Sequence, residues 1–162
     1  EVGGRPVLVD LENTTSHQLA EAIGDADAVV FAAGSGPGSG AARKESVDHQ
    51  GAVALVEAAK QRNVAHYVMV SSMGADAEHE GADDALRSSG LGYSIVRPTS
   101  LTDDDPVGTV TLSPDADGDS ISRSDVAAVL QALLLEGTPL DSTVQLTAGT
   151  TPIGQAVTSA HT

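Results

Sequence analysis

Short apolar runs alternate along this chain with segments whose apolar residues recur every three or four positions. The stretches "PVLVD" (6–10), "DAVVFAAG" (27–34), "HYVMVSS" (66–72) and "YSIVRP" (93–98) are continuous and rich in β-branched residues. Gly or polar residues bound them, which is the pattern of buried strands. "SHQLAEAI" (Ser16–Ile23) reads as a short helix with Thr14, Thr15 or Ser16 as its cap. The longest helix is expected from 44 to about 62, where Val47, Gly51, Leu55 and Ala58 or Ala59 form one stripe. "ADDALRSSG" (82–90) is a helix closed by Gly90. Further on, "VGTVTL" (107–112) is a short strand, and 122–135 is a helix with a capping box of Ser122 and Asp125. "STVQLTAG" (142–149) is a late strand, and "PIGQAVTSA" (152–160) a last helix with Pro152 near its first position.

Strand and helix therefore alternate four times. That order predicts an α/β fold, a doubly wound parallel sheet with helices on both faces, because parallel strands need covered crossovers. Strands covered on both faces read as unbroken apolar runs, as these do. No internal repeat and no linker divides the chain, so residues 1–162 are expected to form one domain. In open parallel sheets, ligands lie beyond the carboxyl ends of the strands. Those ends carry Asp10, Gly34, Ser71, Ser72, Arg97 and Pro98.

Composition narrows the partners. Acids outnumber bases 23 to 8, a formal charge of −15, which argues against nucleic acid and anionic membranes. Many Asp and only two Lys are what a high-salt cytoplasm favours. No cysteine is present, so disulfide and thiolate chemistry are excluded. No apolar run nears the roughly 18 residues of a membrane span, and no signal peptide opens the chain. A soluble, cytoplasmic monomer or homodimer is the expectation. His17, His49, His66, His79 and His161 are scattered without acids at ligand spacing, so no metal is expected. "TDDDP" (102–106) reads as a solvated turn rather than a cation site.

The fragments "VDL", "DAVVFAAG", "SVDHQGAVALVEAAK", "YVMVSSMGA", "YSIVRPTSLTD" and "ISRSDVAAVL" come one after another as they do in the atypical short-chain dehydrogenase/reductases. The chain most resembles the NAD(P)H-binding, NmrA-like and biliverdin-reductase-B-like group, over nearly its whole length. The resemblance implies a Rossmann-like domain, NAD or NADP as cofactor and a small-molecule substrate. It implies hydride transfer between nicotinamide and a small carbonyl, quinone or flavin-like acceptor. Its alternative is a non-catalytic NAD(P)-sensing regulator, as NmrA-like members are. The family opens with a strand, a Gly-rich phosphate loop, a helix and a second strand. This sequence begins at a segment resembling the family's chain just after that second strand. A Tyr-x-x-x-Lys helix, expected after the serines, is also missing, so a break in the chain is expected near 81–82. Tyr67 and Tyr93 stand at strand starts and do not replace its Tyr. "GPGSGA" (36–41) matches G-x-G-x-x-G/A after a strand, but Pro37 stiffens it and no acid lies about 20 residues on. It reads as a substrate-side loop.

Residue by residue, the resemblance assigns Asp10 and Leu11 to the adenine ring, the carboxylate accepting from the exocyclic amine. It gives Phe31, Ala32, Ala33 and Gly34 to the close approach of the dinucleotide backbone. Ser71 caps its strand or meets the cofactor's backbone. Ser72 is the catalytic candidate, since a hydroxyl donates to a reacting carbonyl without bringing charge. Arg97, Pro98, Thr99 and Ser100 flank the nicotinamide, although Arg97 equally suits an ion pair with an acid such as Asp125. Arg43, Lys44 and His49 stand on the substrate side, with Asp48 at a helix start facing the site. The proton donor is unassigned.

Overall fold

The structure is a computed structural model that describes residues 3–34, 49–73 and 77–162. Helix α1 (Ser16–Ile23) leads to strand β1 (Ala28–Phe31). Helix α2 (Ala52–Gln61), strand β2 (His66–Val70), helix α3 (Ala77–Arg87) and strand β3 (Tyr93–Pro98) continue the alternation. Strand β4 (Ser100–Thr102), strand β5 (Thr109–Ser113) and strand β6 (Ser120–Ser122) come next. Helix α4 (Arg123–Glu136), strand β7 (Ser142–Ala148), strand β8 (Thr151–Pro152) and helix α5 (Ile153–Ala160) complete the chain.

The main sheet has the order β1-β2-β3-β7-β5-β8. Strands β1, β2, β3 and β7 are parallel, while β5 pairs antiparallel with both β7 and β8. A parallel pair, β4 with β6, stands apart from it. Alternation of side chains along each strand separates two cores. Tyr67, Met69 and Ile95 pack with α2 and α3, whereas Val68, Val96 and Val144 pack with α4 and α5. Tyr67, Val68 and Met69 are buried side by side, which is why β2 shows no polar alternation in sequence. Ala52, Ala58, Ala59 and Ala82 are buried at the helix–sheet and helix–helix contacts, so small side chains let the layers approach closely.

One expectation changes. Residues 6–10 are not a strand: among the described residues no pairing partner stands beside them, and Leu8 is fully exposed. A strand exists only where a neighbour completes its hydrogen bonds, and β-branched composition alone supplies none. The sheet is mostly parallel, as expected, with β5 returning antiparallel along β7. Residues 81 and 82, where a break is expected from the resemblance, lie within α3, which holds Ala82 and Leu86 against the core. Of the long helix expected from 44 to about 62, positions 44–48 lie outside the described residues. His49 to Gly51 form a wider turn that leads into α2.

Candidate active site

Strands β2 and β3 keep pairing past their regular ends. The Ser71 amide donates to Val96 O at 2.8 Å, and the Met73 amide donates to Pro98 O at 3.2 Å. The serines are thus held as an extension of the sheet, and their side chains leave it on opposite faces. Ser71 shares its face with Met69 and Tyr67, under α3. It is buried, and its hydroxyl donates to Asp83 Oδ2 at 3.2 Å. Ser72 faces the other way. It lines a cleft of about 380 Å³ with Met73, Pro98, Thr99, Ser100, Gly118 and Asp119.

The far wall of that cleft depends on a glycine. A Cβ at Gly118 would collide with the Thr147 side chain, so the 113–120 turn reaches the sheet edge only with glycine there. Thr147 in turn meets the buried Thr99 hydroxyl at 3.5 Å. Ser122 caps α4, its hydroxyl oxygen accepting from the Asp125 amide at 3.0 Å and its proton going to Asp125 Oδ2 at 2.8 Å. Asp125 also accepts from the Val107 and Gly108 amides at 2.9 and 2.8 Å. Burial alone would raise this carboxyl, but the Val107, Gly108 and Ser122 donors outweigh burial and hold it below its ordinary value.

Arg97 pairs with Asp83, not with Asp125. It lies two residues beyond Ile95 and so leaves β3 on the α3 face, while Asp125 belongs to the opposite layer. Its Nε and Nη2 donate to Asp83 Oδ2 at 3.1 and 2.7 Å. Asp83 is fully buried, and Arg87 adds a contact at 3.7 Å. Asp83 is a residue that sequence reasoning misses. A signal is there: it precedes the core residue Leu86 by three positions, so an acid lies on the buried stripe of its helix.

The other assigned residues divide. Ala32, Ala33 and Gly34 are exposed beyond β1, leaving backbone accessible, while Phe31 is buried in the core. Asp10 lines a second cleft of about 390 Å³ with Val7, Leu8, Val9, Asn13, Thr14, Gln18 and Ala22. Its carboxylate accepts from Asn13 Nδ2 at 2.8 Å and from the Glu12 amide at 3.0 Å, and these bonds hold its pKa below the ordinary value. Leu11 packs toward Ile23 and Leu55 rather than standing out over that cleft. His49 lies against α3, where a Cβ on Gly81 would come within 2.7 Å of its ring. Arg43, Lys44, Asp48 and the 36–41 loop lie outside the described residues. Among the described residues no cluster suited to a metal ion occurs, and no helix is long and apolar enough to cross a membrane.

Known proteins are similar to this chain in both sequence and fold. Residues 1–136 match the family described as NAD(P)H-binding. A Bacillus subtilis (strain 168) protein named YhfK, an uncharacterized sugar epimerase, is 35% identical over 96% of this chain and 78% of its own length. The solved structure of a Bacillus halodurans protein named as an NAD-dependent epimerase/dehydratase superposes with a TM-score of 0.84 at 36% identity, covering 94% of this chain and 77% of that one. The oxidoreductase ylbE of Lactococcus lactis gives a TM-score of 0.81 at 25% identity, covering 94% and 75%.

Proposed function

The chain belongs to the NAD(P)H-binding family, and from that premise we propose that it is an oxidoreductase working at the cleft beside Ser72. The reaction moves hydride between nicotinamide and a small carbonyl, quinone or flavin-like acceptor. One observation carries the reading. The cleft of about 380 Å³ opens at the carboxyl end of β2 and β3, where a parallel sheet presents free backbone groups and where its ligands collect.

The residues present fit the nicotinamide end of a dinucleotide. Ala32 to Gly34 leave the end of β1 bare of bulk, and Pro98 to Ser100 border the cleft. When bound, the nicotinamide supplies the hydride chemistry. The chain's part is positioning. Ser72 donates one uncharged hydrogen bond to the acceptor oxygen, strongest where negative charge gathers. Thr99 and Gly118 hold the opposite wall. Asp10 borders the cleft that receives the adenine end, and its exposed carboxylate retains lone pairs for an exocyclic amine.

A second reading is favoured by one feature. Among the described residues lining the cleft, Asp119 is the only ionisable side chain, and no Tyr, Lys or His accompanies it. A site that binds the dinucleotide without a proton donor is a sensor of it. Calorimetry with NADH and NADPH, followed by turnover with carbonyls, quinones, flavins and sugars, separates the two. Binding with turnover is expected. Binding without turnover on the whole panel establishes the sensor. Affinity weaker than about 1 mM for both dinucleotides defeats both readings.

A further inference from the structure

Asp83 is a buried carboxylate with two unequal oxygens. Oδ2 accepts from Arg97 Nε and Nη2 and from the Ser71 hydroxyl. Oδ1 is equally buried and has no hydrogen-bond partner among the described residues. Such an atom in a folded protein calls for a specific explanation, because its desolvation is otherwise uncompensated. Ser71 is constrained by the same contact. Its proton is committed to Asp83, so its oxygen has only lone pairs left to offer.

Both residues line a hollow between the ends of β1 and β2 and helix α3, whose remaining wall includes Phe31, Ala33, Met69 and Ala82. Its free volume is about 10 Å³, the space of roughly one water-sized group. Among the described residues that line it, it offers two side-chain acceptors, Asp83 Oδ1 and Ser71 Oγ, and no side-chain donor. We propose that Asp83 and Ser71 form a subsite for an NH₂ group, taking two N–H donors from one primary amide nitrogen. A hydroxyl brings only one donor. A cation is a poorer match, because Arg97 already balances the carboxylate's charge. The nitrogen enters the hollow while the body of the ligand remains outside, along the carboxyl edge.

Two sources carry this chemistry: the carboxamide of the nicotinamide, which rests on the cofactor reading above, and a substrate amide, which does not. Calorimetry on the full chain compares NADH with its 3-acetylpyridine analogue, in which CH₃ replaces the NH₂. Saturation-transfer NMR compares benzamide with acetophenone. If the cofactor fills the subsite, the parent binds the analogue at least tenfold more weakly. D83N, which turns an amide donor toward the hollow, abolishes that difference. S71A removes one acceptor while leaving the Arg97 pair intact, so it reduces the difference even if D83N fails to fold. If the substrate is the source, the dinucleotides bind alike, benzamide binds in preference to acetophenone, and S71A weakens that preference. Equal binding within both pairs overturns the proposal. Absence of all dinucleotide binding defeats the cofactor reading alone, since the benzamide arm still decides the subsite.

Discussion

Arg97 and Asp83 meet because each lies on the buried stripe of its own element, and their pairing makes a sharp demand on stability. Asp83 is fully buried, and the Arg97 side chain is only 22% exposed. Removing one partner strands the other charge, at a cost of about 3–5 kcal/mol, whereas replacing both by apolar residues is often neutral. Arg97→Met is therefore expected to lower unfolding free energy by about 3 kcal/mol in urea titrations, and Asp83→Leu/Arg97→Met by much less. A single variant within about 0.5 kcal/mol of the parent would mean that Arg87 or solvent compensates. Ser72 makes the opposite kind of demand. It sits at a cleft wall and carries little of the packing. Ser72→Ala is expected to lower kcat roughly ten- to a thousand-fold while leaving dinucleotide affinity nearly unchanged. Steady-state kinetics beside calorimetry checks this, and unchanged turnover removes Ser72 from the mechanism. Ser71→Ala distinguishes the neighbours, because its hydroxyl serves Asp83 on the other face.

At the scale of elements, the start of α4 ties three segments together. Ser122 ends β6, caps α4 and donates to Asp125, and Asp125 reaches back to the amides that precede β5. Losing a Ser cap costs about 0.5–2 kcal/mol, and here the upper end applies because Asp125 loses a donor as well. Ser122→Ala is expected to lower Tm by several degrees, read by circular dichroism. Ser122→Asp, which caps but places a second carboxylate beside Asp125, is expected to recover little of it. If alanine and aspartate both leave Tm unchanged, the 107–108 loop is held by other contacts. The same node supports the β4–β6 pair, whose residue Ser100 lines the Ser72 cleft. The cap therefore also shapes the candidate site.

Across the whole molecule, the two ends of the sheet have different tasks. The carboxyl edge holds the Ser72 cleft. The amino edge holds two histidines with opposite titration. Ser94 Oγ accepts from the Leu140 amide at 3.0 Å and lies 2.9 Å from His66 Nε2, within hydrogen-bond reach. Burial pushes the His66 pKa down, with Asp141 opposing and His161 adding to the effect. Both His161 nitrogens lie 2.9 Å from carbonyl oxygens, of Thr138 and Val157. Carbonyls only accept, so both contacts are hydrogen bonds only in the protonated ring. The Thr138 carbonyl first, then Val157 and nearby Glu136 against some desolvation, raises the His161 pKa. The signs differ accordingly. His66 contributes stability above its unfolded pKa of about 6.5, lost as pH falls through the lower folded value. His161 contributes stability below about 6.5, lost as pH rises through its higher folded value. The parent's Tm should therefore change little near pH 6.5. His161→Gln should cost more Tm at pH 5.5 than at pH 8, steepening the acid limb that His66 alone then controls. Parallel Tm–pH curves for parent and variant would refute this.

How much was legible in the sequence depends on the range of the forces involved. Local pattern determined the helix of residues 16–23, strands β1, β2, β3 and β7, and the Ser122 capping box; it left the first helix's cap among Thr14, Thr15 and Ser16, of which the structure shows Thr15. Each rests on apolar spacing or on a hydrogen bond three residues long. The placement of Ser71, Ser72 and Pro98 to Ser100 at one edge was legible too, because parallel strands put their carboxyl ends together. Tertiary structure alone decided what depends on distant partners. Residues 6–10 have the composition of a strand but, among the described residues, lack a neighbour to pair with. β5 runs antiparallel because β7 offers it an edge. Arg97 chose Asp83 over Asp125 because side-chain alternation along β3 assigns it to the α3 layer. Gly118 matters only because Thr147, 29 positions away in sequence, stands where its Cβ would go. Sequence carries the periods that build elements. Which faces meet across the sheet is set by packing between residues far apart in the chain, and that packing put Asp83 beside Ser71 and Gly118 beside Thr147.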